Sequence, residues 1–487
     1  MMMKSFTIKS LLGAAFLAIA ITACDKEYNF KDGYDEPPKV DTAGLSRLDT
    51  NMLIIDSSGF PDAKKFPGLV PVVEPRLMEQ AVTLDFYYKV PTDQIRISVV
   101  PGNWLSTGFY AAPGELVKVV VPDNVDGASI QIGAHTDNVS AKYPLLRAGV
   151  IYTRKLLVPG VNYIRNIYGG NIYILPSKPS DKKVTFTFSN VCKSPDFVLG
   201  ETSDSEWKEL LRRSNVPVFE MRSKRVVFTF YRKVMLSLLD KFNAEEVMKL
   251  WDEAIEKDYN EWYGLSDEPA DIIDQAPTTQ HRFVLDIQIS LGSGHSGYPC
   301  MAYLDWHDTF IDTALIRDGA SWGAFHEFGH NFQMGSIWSW GGADGLGETS
   351  NNLFVFKIAN RYGRKPRRIY QEDFVQPALD WAAQAVGSRR FSEVKDVFQR
   401  LVPFVQLFQR YGYGMMTYIA SEGRREPRPF LINEAKKNFF FVKASEYAQT
   451  NLKPFFDHWG IVVSPSAVDE VSHLPLLDEE LWTNDIR

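Results

Sequence analysis

Cysteine is scarce, with three in 487 residues. No two of them form a C-x-x-C pair, which excludes a zinc ribbon or any other cysteine-built metal site. Positive charge is not in excess. The 53 Lys and Arg face 60 Asp and Glu, a formal net charge of −7, and this disfavours nucleic acid as the main partner. A long apolar run is also missing, because the longest near the start, residues 11–21, is too short to span a bilayer. Internal repeats and low-complexity tracts are absent. What remains is globular composition, 45% hydrophobic and 23% charged. Its length suits about two to three domains, each able to bury a core.

The start reads as a targeting segment. Lys4 and Lys9 form a short basic region before the apolar stretch, and Ile21-Thr22-Ala23-Cys24 resembles a bacterial lipobox. Residues 1–23 are therefore expected to be a lipoprotein signal peptide, with Cys24 carrying the lipid; a plain secretory signal is the alternative. The expected anchor ties the chain to a membrane without threading through it. Asp25 and Glu27 resemble the acidic export signals of surface lipoproteins, which places the expected location on the outer membrane, exposed at the cell surface. Cys192 and Cys300 either pair or remain two buried free thiols.

Residues 24–79 read as a tether and lead-in, charged and then stiff at Asp35-Glu36-Pro37-Pro38. Residues 80–195 read as a β-sandwich. Short β-branched or aromatic runs at 83–90, 116–121, 129–133, 171–175 and 184–188 are separated by Pro, Gly, Asn and Asp turns. From 196 to 487 the pattern mixes helix and strand and becomes mainly helical between about 350 and 460, so the fold class is α+β. Asn243 and Glu246 offer a capping box for a helix with Val247, Leu250, Trp251, Ala254 and Trp262 on one face. Residues 282–291 read as a strand broken by Gly292-Ser293-Gly294. Basic residues cluster at Arg361, Arg364, Lys365, Arg367 and Arg368, as a solvated loop or a contact to anionic sugars.

The chemistry concentrates in His326-Glu327-Phe328-Gly329-His330. Two histidines four apart lie one above the other on a helix face, so both imidazoles reach one metal ion. Glu327 falls beside that ion, where it can take a proton from bound water. Ser321 is a plausible cap for this helix and Gly335 a plausible stop. A catalytic zinc needs a third protein ligand and an open position. Glu348 follows His330 after 17 intervening residues, room for a glycine-rich reversal at Gly341-Gly342 and a second helix, 346–359, with Glu348 near its first turn. Asp344, within the glycine-rich turn, is the competitor. Asn352 either orients a ligand or is an exposed or capping residue. His295 and Tyr298, in a Gly- and Pro-bounded loop, are candidate contacts to the oxyanion or substrate, or else purely structural. Trp338 and Trp340 either stack on sugars or belong to the core. His307, His458 and His473 have no partner pattern and read as structural.

Residues His326-Glu327-Phe328-Gly329-His330-Asn331-Phe332-Gln333 resemble the metal helix of the enhancin-like, mucin-degrading zinc metallopeptidases, peptidase family M sixty. Gly347-Glu348-Thr349-Ser350-Asn351-Asn352-Leu353-Phe354 is similar to the family's downstream glutamate segment. The segments 106–115, 169–174 and 451–460 also resemble family motifs, so the likeness covers roughly residues 80–460. The resemblance implies a β-sandwich packed on a zincin-like α/β catalytic domain with a helical C-terminal part. It implies one Zn2+ held by His326, His330 and Glu348, with Glu327 as the base. It further implies cleavage of O-glycosylated proteins such as mucins beside a glycosylated Ser or Thr. The chain lacks an evident extra carbohydrate-binding module, so glycan recognition would fall to the cleft itself. The alternative from another class is a glycan- or glycoprotein-binding surface lipoprotein on a peptidase scaffold.

Overall fold

The computed structural model describes residues 61–487, apart from 124, 126, 372 and 388 and the side chains of 370 and 371. The expected signal peptide, Cys24 and the first part of the tether lie outside these residues. The tether expected to 79 does not extend that far as a mobile link. Ala63, Phe66 and Val70 are buried, and Arg76 pairs with Glu115 at 2.6 Å. No helix among the described residues is long and apolar enough to cross a membrane.

Two antiparallel sheets enclose the first core. One has the order β1 (Gln80–Asp85), β8 (Lys183–Ser189), β3 (Leu116–Val121), β6 (Gly160–Arg165). The other has the order β5 (Thr153–Leu156), β4 (Ala128–Ile132), β7 (Gly170–Pro176), β2 (Leu105–Ala111), β9 (Cys192–Lys193). Period-two alternation sends Val117, Val119 and Val121 from β3 and Val184, Phe186 and Phe188 from β8 inward, where they meet Ile130, Ile132, Ile172 and Ile174 of the facing sheet. The first strand is shorter than the run 83–90 suggests. It stops at Asp85, whose carboxylate accepts the Tyr87 N–H at 2.8 Å and turns the chain.

The second core surrounds a mixed six-stranded sheet ordered β10 (Phe197–Val198), β11 (Val218–Arg222), β12 (Val226–Tyr231), β13 (His281–Asp286), β15 (Cys300–Tyr303), β14 (Gly294–His295). β13 and β15 run parallel, and β14 returns antiparallel along the edge of β15. β13 ends at Asp286, well short of residue 291, where the buried carboxylate accepts the Gln288 N–H and bonds from Nε and Nη2 of Arg147. Asn243 does cap its helix, α1 (Ala244–Glu253), by accepting the Glu246 N–H. The reciprocal half of the box is not formed, since Glu246 bonds Arg317 instead.

Buried charges join the two cores. Arg282 of β13 pairs with Glu220 of β11 at 2.8 Å and donates to the Trp104 carbonyl and the Ser106 hydroxyl. Tyr173 of β7 donates to the same glutamate. Arg147, in the connection after β4, pairs with Asp286, both fully buried. Removing either partner would strand a charge in the interior, which costs several kcal/mol, on the order of 3–5. These pairs specify how the sandwich meets the β13–β14 connection.

Candidate metal centre

Helix α2 (Trp322–Phe332) lies under the edge of this sheet. Its sequence has two faces. Phe325, Phe328 and Phe332 pack against Trp251, Phe283 and Tyr259, with ring centroids 4.8, 5.5 and 5.0 Å apart. His326 and His330 therefore project from the opposite side. Ser321 holds the cap position, but its hydroxyl donates to the Thr309 carbonyl rather than accepting a helix N–H. The helix ends at Phe332, ahead of Gly335. Gly329 sits where the helix meets the next segment: a Cβ there would lie 2.1 Å from the Asn351 carbonyl oxygen.

Glu348 is not in the first turn of a helix. Residues 347–349 form a turn, Ser350–Asn352 a 3-10 turn, and the helix α3 begins only at Leu353 (Leu353–Arg361). Thr349 and Ser350 donate to the Leu346 carbonyl, while the Gly347 and Glu348 carbonyls are taken by the side chains of Gln333 and Asn352. The turn nonetheless brings Glu348 to the histidines. Its Oε2 lies 3.3 Å from Nε2 of His326 and 3.4 Å from Nε2 of His330, and the two Nε2 atoms are 3.2 Å apart.

Hydrogen-bond accounting fixes what these atoms are. Asn352 Nδ2 donates to the Glu348 carbonyl, so its Oδ1 faces His326 Nδ1 at 2.9 Å and accepts that N–H. Gln333 Nε2 donates to the Gly347 carbonyl at 2.6 Å, so its Oε1 accepts the Nδ1–H of His330 at 2.9 Å. Both imidazoles therefore commit Nδ1 to a side-chain amide and turn Nε2 towards Glu348 and each other. Two imidazole nitrogens and a carboxylate oxygen face one another in a nearly equilateral triangle. Such a cluster calls for a cation. Glu348 is held below the usual carboxylate range by its contacts with His326 and His330. Burial opposes a charge on His330, yet Glu348 and Gln333 outweigh it and hold that imidazole above its usual value. Donor atoms about 2.0–2.1 Å from a tetrahedral zinc stand about 3.3 Å apart, so the triangle fits that ion.

Glu327 also brings a carboxylate oxygen within 4.8 Å of both histidine nitrogens. The tighter triangle favours Glu348 as the third donor. Glu327 is 6% exposed and lies against β14, where a Cβ on Gly294 would approach its Oε1 at 3.2 Å and the Trp306 ring at 2.6 Å. Burial pushes its carboxyl above the ordinary glutamate range, although His326, His330 and His295 pull it down. Asp344, the competing ligand, is tied to Lys437 and does not join the cluster.

His295 stands on the edge strand β14 rather than in a free loop. Its Nε2 lies 2.8 Å from Asp137 Oδ2 and its Nδ1 2.9 Å from the Ser296 carbonyl. Both ring nitrogens face acceptors, and although burial opposes its charge, Asp137 and the Ser296 carbonyl hold the imidazole above its usual value. Tyr298 is not at the centre: its hydroxyl is buried beside Arg282, and its ring packs on Trp104. Trp340 is not a sugar platform. It is 0% exposed, donates to the Asp344 carbonyl and packs among Phe391, Phe404 and Phe440; Trp338 is equally buried. His307 is buried in the second core, His458 stacks on Trp482 and His473 bonds the Glu470 carbonyl, all apart from the triangle. Cys192 and Cys300 are buried free thiols. In the basic cluster, Arg361 pairs with the buried Asp258, Arg364 and Arg367 with Asp318, and Arg368 lies over Trp322 and Phe398. Arg364, Lys365 and Arg367 remain exposed, as a solvated loop would leave them.

Three participants were missed from sequence. Gln333 carried a signal, since residues three apart share a helix face and it follows His330 by three. Asn351, whose Nδ2 lies 3.0 Å from His330 Nε2, follows from its place beside Asn352. Asp137 had none, being 158 residues from His295.

Residues 190–460 match the family described as Peptidase M60, enhancin and enhancin-like, and residues 91–189 match the N-terminal domain of M60-like peptidases. The chain is 29% identical over 397 residues to the TRPM8 channel-associated factor homolog of Danio rerio, covering 78% of this chain and 41% of that one. It thus spans about two fifths of the length of the curated relatives it matches. The ZmpB metallopeptidase of Clostridium perfringens superposes with a TM-score of 0.68 at 16% identity, covering 84% of this chain and 83% of that one. The M60 catalytic domain of ZmpC from the same organism, solved in complex with the sialyl T antigen, gives 0.67 at 15%, covering 84% and 82%. At such identities the likeness is one of fold. The family match spans more than half of the sequence and contains the whole His326–Glu348 cluster, and the chain belongs to peptidase family M60, enhancin and enhancin-like.

Proposed function

We propose that this protein is a zinc-dependent endopeptidase that cleaves O-glycosylated, mucin-type proteins at the bacterial surface. The observation that carries the reading is the triangle of donor atoms on His326, His330 and Glu348, 3.2–3.4 Å on a side, with a buried carboxylate next to it. Zinc held by those three residues would supply an acidified water and a Lewis acid for a peptide carbonyl. Glu327, raised towards neutrality by burial, takes the proton at its carboxylate and returns it to the leaving amine. Trp306 and the Cβ-free Gly294 wall off one side of that carboxylate, and β14 offers its outer edge beside it. The glycoprotein part of the reading is supported by the solved neighbour in complex with the sialyl T antigen.

Glu327→Gln tests the mechanism. Cleavage of a defined O-glycopeptide should vanish while zinc content and glycopeptide binding persist; unchanged cleavage would remove Glu327 from the chemistry. Equal turnover of the glycosylated and bare peptides would remove the glycan requirement. A binding role without catalysis is the second reading, favoured by curated relatives named as channel-associated factors rather than peptidases. It predicts that the unsubstituted chain binds the glycopeptide without cutting it. Lipidation at Cys24 is part of the proposal, and Cys24→Ser should release the protein from the membrane fraction.

A further inference from the structure

Glu348 is the weakly held member of the triangle. Its side chain is 59% exposed, and it sits in a turn rather than on a helix. Something other than regular secondary structure must aim it. The peptide group before its Cα presents the Gly347 carbonyl, which accepts from Gln333 Nε2 at 2.6 Å. The peptide group after it presents the Glu348 carbonyl, which accepts from Asn352 Nδ2 at 2.9 Å. Pinning both flanking peptide planes fixes the backbone dihedrals of Glu348 and hence the direction in which its side chain leaves. The far ends of the same two amides accept the Nδ1–H groups of His330 and His326.

We propose that Gln333 and Asn352 are positioning residues that link each histidine to one of the peptide groups flanking Glu348, so that the three donors are set as a unit before an ion arrives. The inference rests on the metal reading above and deepens it. An amide is required at both places because each must accept on one side and donate on the other. A carboxylate only accepts. It would serve an imidazole N–H at least as well, as carboxylate–histidine–zinc pairings do, but it would set an oxygen against the backbone carbonyl of the Glu348 turn. The two chemistries therefore predict opposite outcomes for a near-isosteric change.

Asn352→Asp and Gln333→Glu are made in the full chain. The zinc dissociation constant is read at pH 8 by competition with a chromophoric chelator, and melting of the metal-free proteins checks folding. Each change should weaken zinc binding about 10- to 100-fold. In a Glu348→Ala background the Asn352→Asp change should add less than about a twofold further loss, because the linked ligand is already gone. Unchanged or tighter zinc binding in the carboxylate variants would overturn the inference, as would an equal loss with and without Glu348. If Gln333→Glu does not fold, Asn352→Asp decides, since that amide donates to a single carbonyl. Failure of the unsubstituted chain to bind zinc would sink the metal reading itself. Normal binding with unaffected variants would sink only the linkage.

Discussion

Gly329 sets how closely the third ligand can approach the first two, and Gly329→Ala measures it. The new Cβ would lie 2.1 Å from the Asn351 carbonyl oxygen, 2.8 Å from its carbon and 3.0 Å from its Cα. All three are backbone atoms, so no side chain can rotate away. Restoring an ordinary carbon–oxygen contact of about 3.2 Å requires the segment Ser350–Asn352 to withdraw by roughly 1 Å. That segment carries Asn352 and directly follows Glu348, so the triangle opens. Alanine is the better helix former by about 0.5–1 kcal/mol, but overpacking against a rigid neighbour costs about 1–3 kcal/mol. The net is a destabilisation of up to about 2.5 kcal/mol, seen as a lower Tm. The larger effect falls on function, because a displacement of about 1 Å at a reacting constellation costs on the order of 100-fold in rate. Zinc content, Tm and kcat/KM on an O-glycopeptide are measured together. A Gly329→Ala protein with full zinc and unaltered kcat/KM would show that the Asn351 contact does not position Glu348.

Burial raises Glu327, and only its ionised form takes a proton, so kcat/KM should fall as pH drops through a value above the ordinary glutamate pKa of about 4.3. A pH–rate profile with zinc occupancy monitored, and an acid limb below about 4, would contradict that assignment. The Asp137–His295 pair should make stability pH-dependent. Burial opposes both charges, yet the mutual hydrogen bond outweighs it, raising His295 and lowering Asp137. The His295 contribution is complete below about pH 6.5 and is lost as pH rises through the raised value; that of Asp137 is present above about pH 3.9 and is lost as pH falls through the lowered one. Thermal melts should thus decline above about pH 6.5, and Asp137→Asn should flatten that decline; an identical pH profile would refute the pairing. Trp340→Phe should lower Tm and leave the KM for glycopeptide unchanged, and the opposite pattern would restore the ring as a sugar contact.

The metal helix was legible because its chemistry is local. Four-residue spacing places both histidines on one face, and the aromatic residues at 325, 328 and 332 mark the other. The inward residues of β8 were legible for the same reason, since the alternation Val184-Thr185-Phe186-Thr187-Phe188 needs no partner to be seen. The Glu348 segment misled because residues 346–359 are composed like a helix. What holds the start of that stretch out of a helix is a pair of side-chain amides, one of them from Gln333 just past the end of α2, taking the Gly347 and Glu348 carbonyls. Composition cannot show a competitor that arrives from another element. The partners of the basic cluster were hidden in the same way: Asp258 and Asp318, which pair with Arg361, Arg364 and Arg367, come from other segments. Asp85 and Asp286 shortened two strands by turning the chain with their carboxylates, a property any aspartate has and few use.

The residues that frame the centre come from both cores. Asp137 and Arg147 lie in the connection after β4, within the sandwich. Asp137 accepts the Ser290 N–H at 2.6 Å and holds His295, while Arg147 holds Asp286 at the end of β13. Between them they secure both ends of the excursion that carries the chain from β13 to the edge strand β14. That strand lies against Glu327, at the one point where a side chain on residue 294 would intrude. Neither contact touches the donor triangle, whose amide links close on α2 and the Glu348 turn. The centre thus has two sets of supports, joined through Asn331 of α2, whose side chain accepts the Gly297 N–H and donates to the Gly297 carbonyl, both at 3.0 Å. One, set by carboxamides, holds the triangle of His326, His330 and Glu348; the other, set by ion pairs from the sandwich, holds the β14 wall beside Glu327. Damage to the first should appear in zinc affinity and damage to the second in substrate handling with zinc retained. The sandwich is therefore a component of the site and not an appended module.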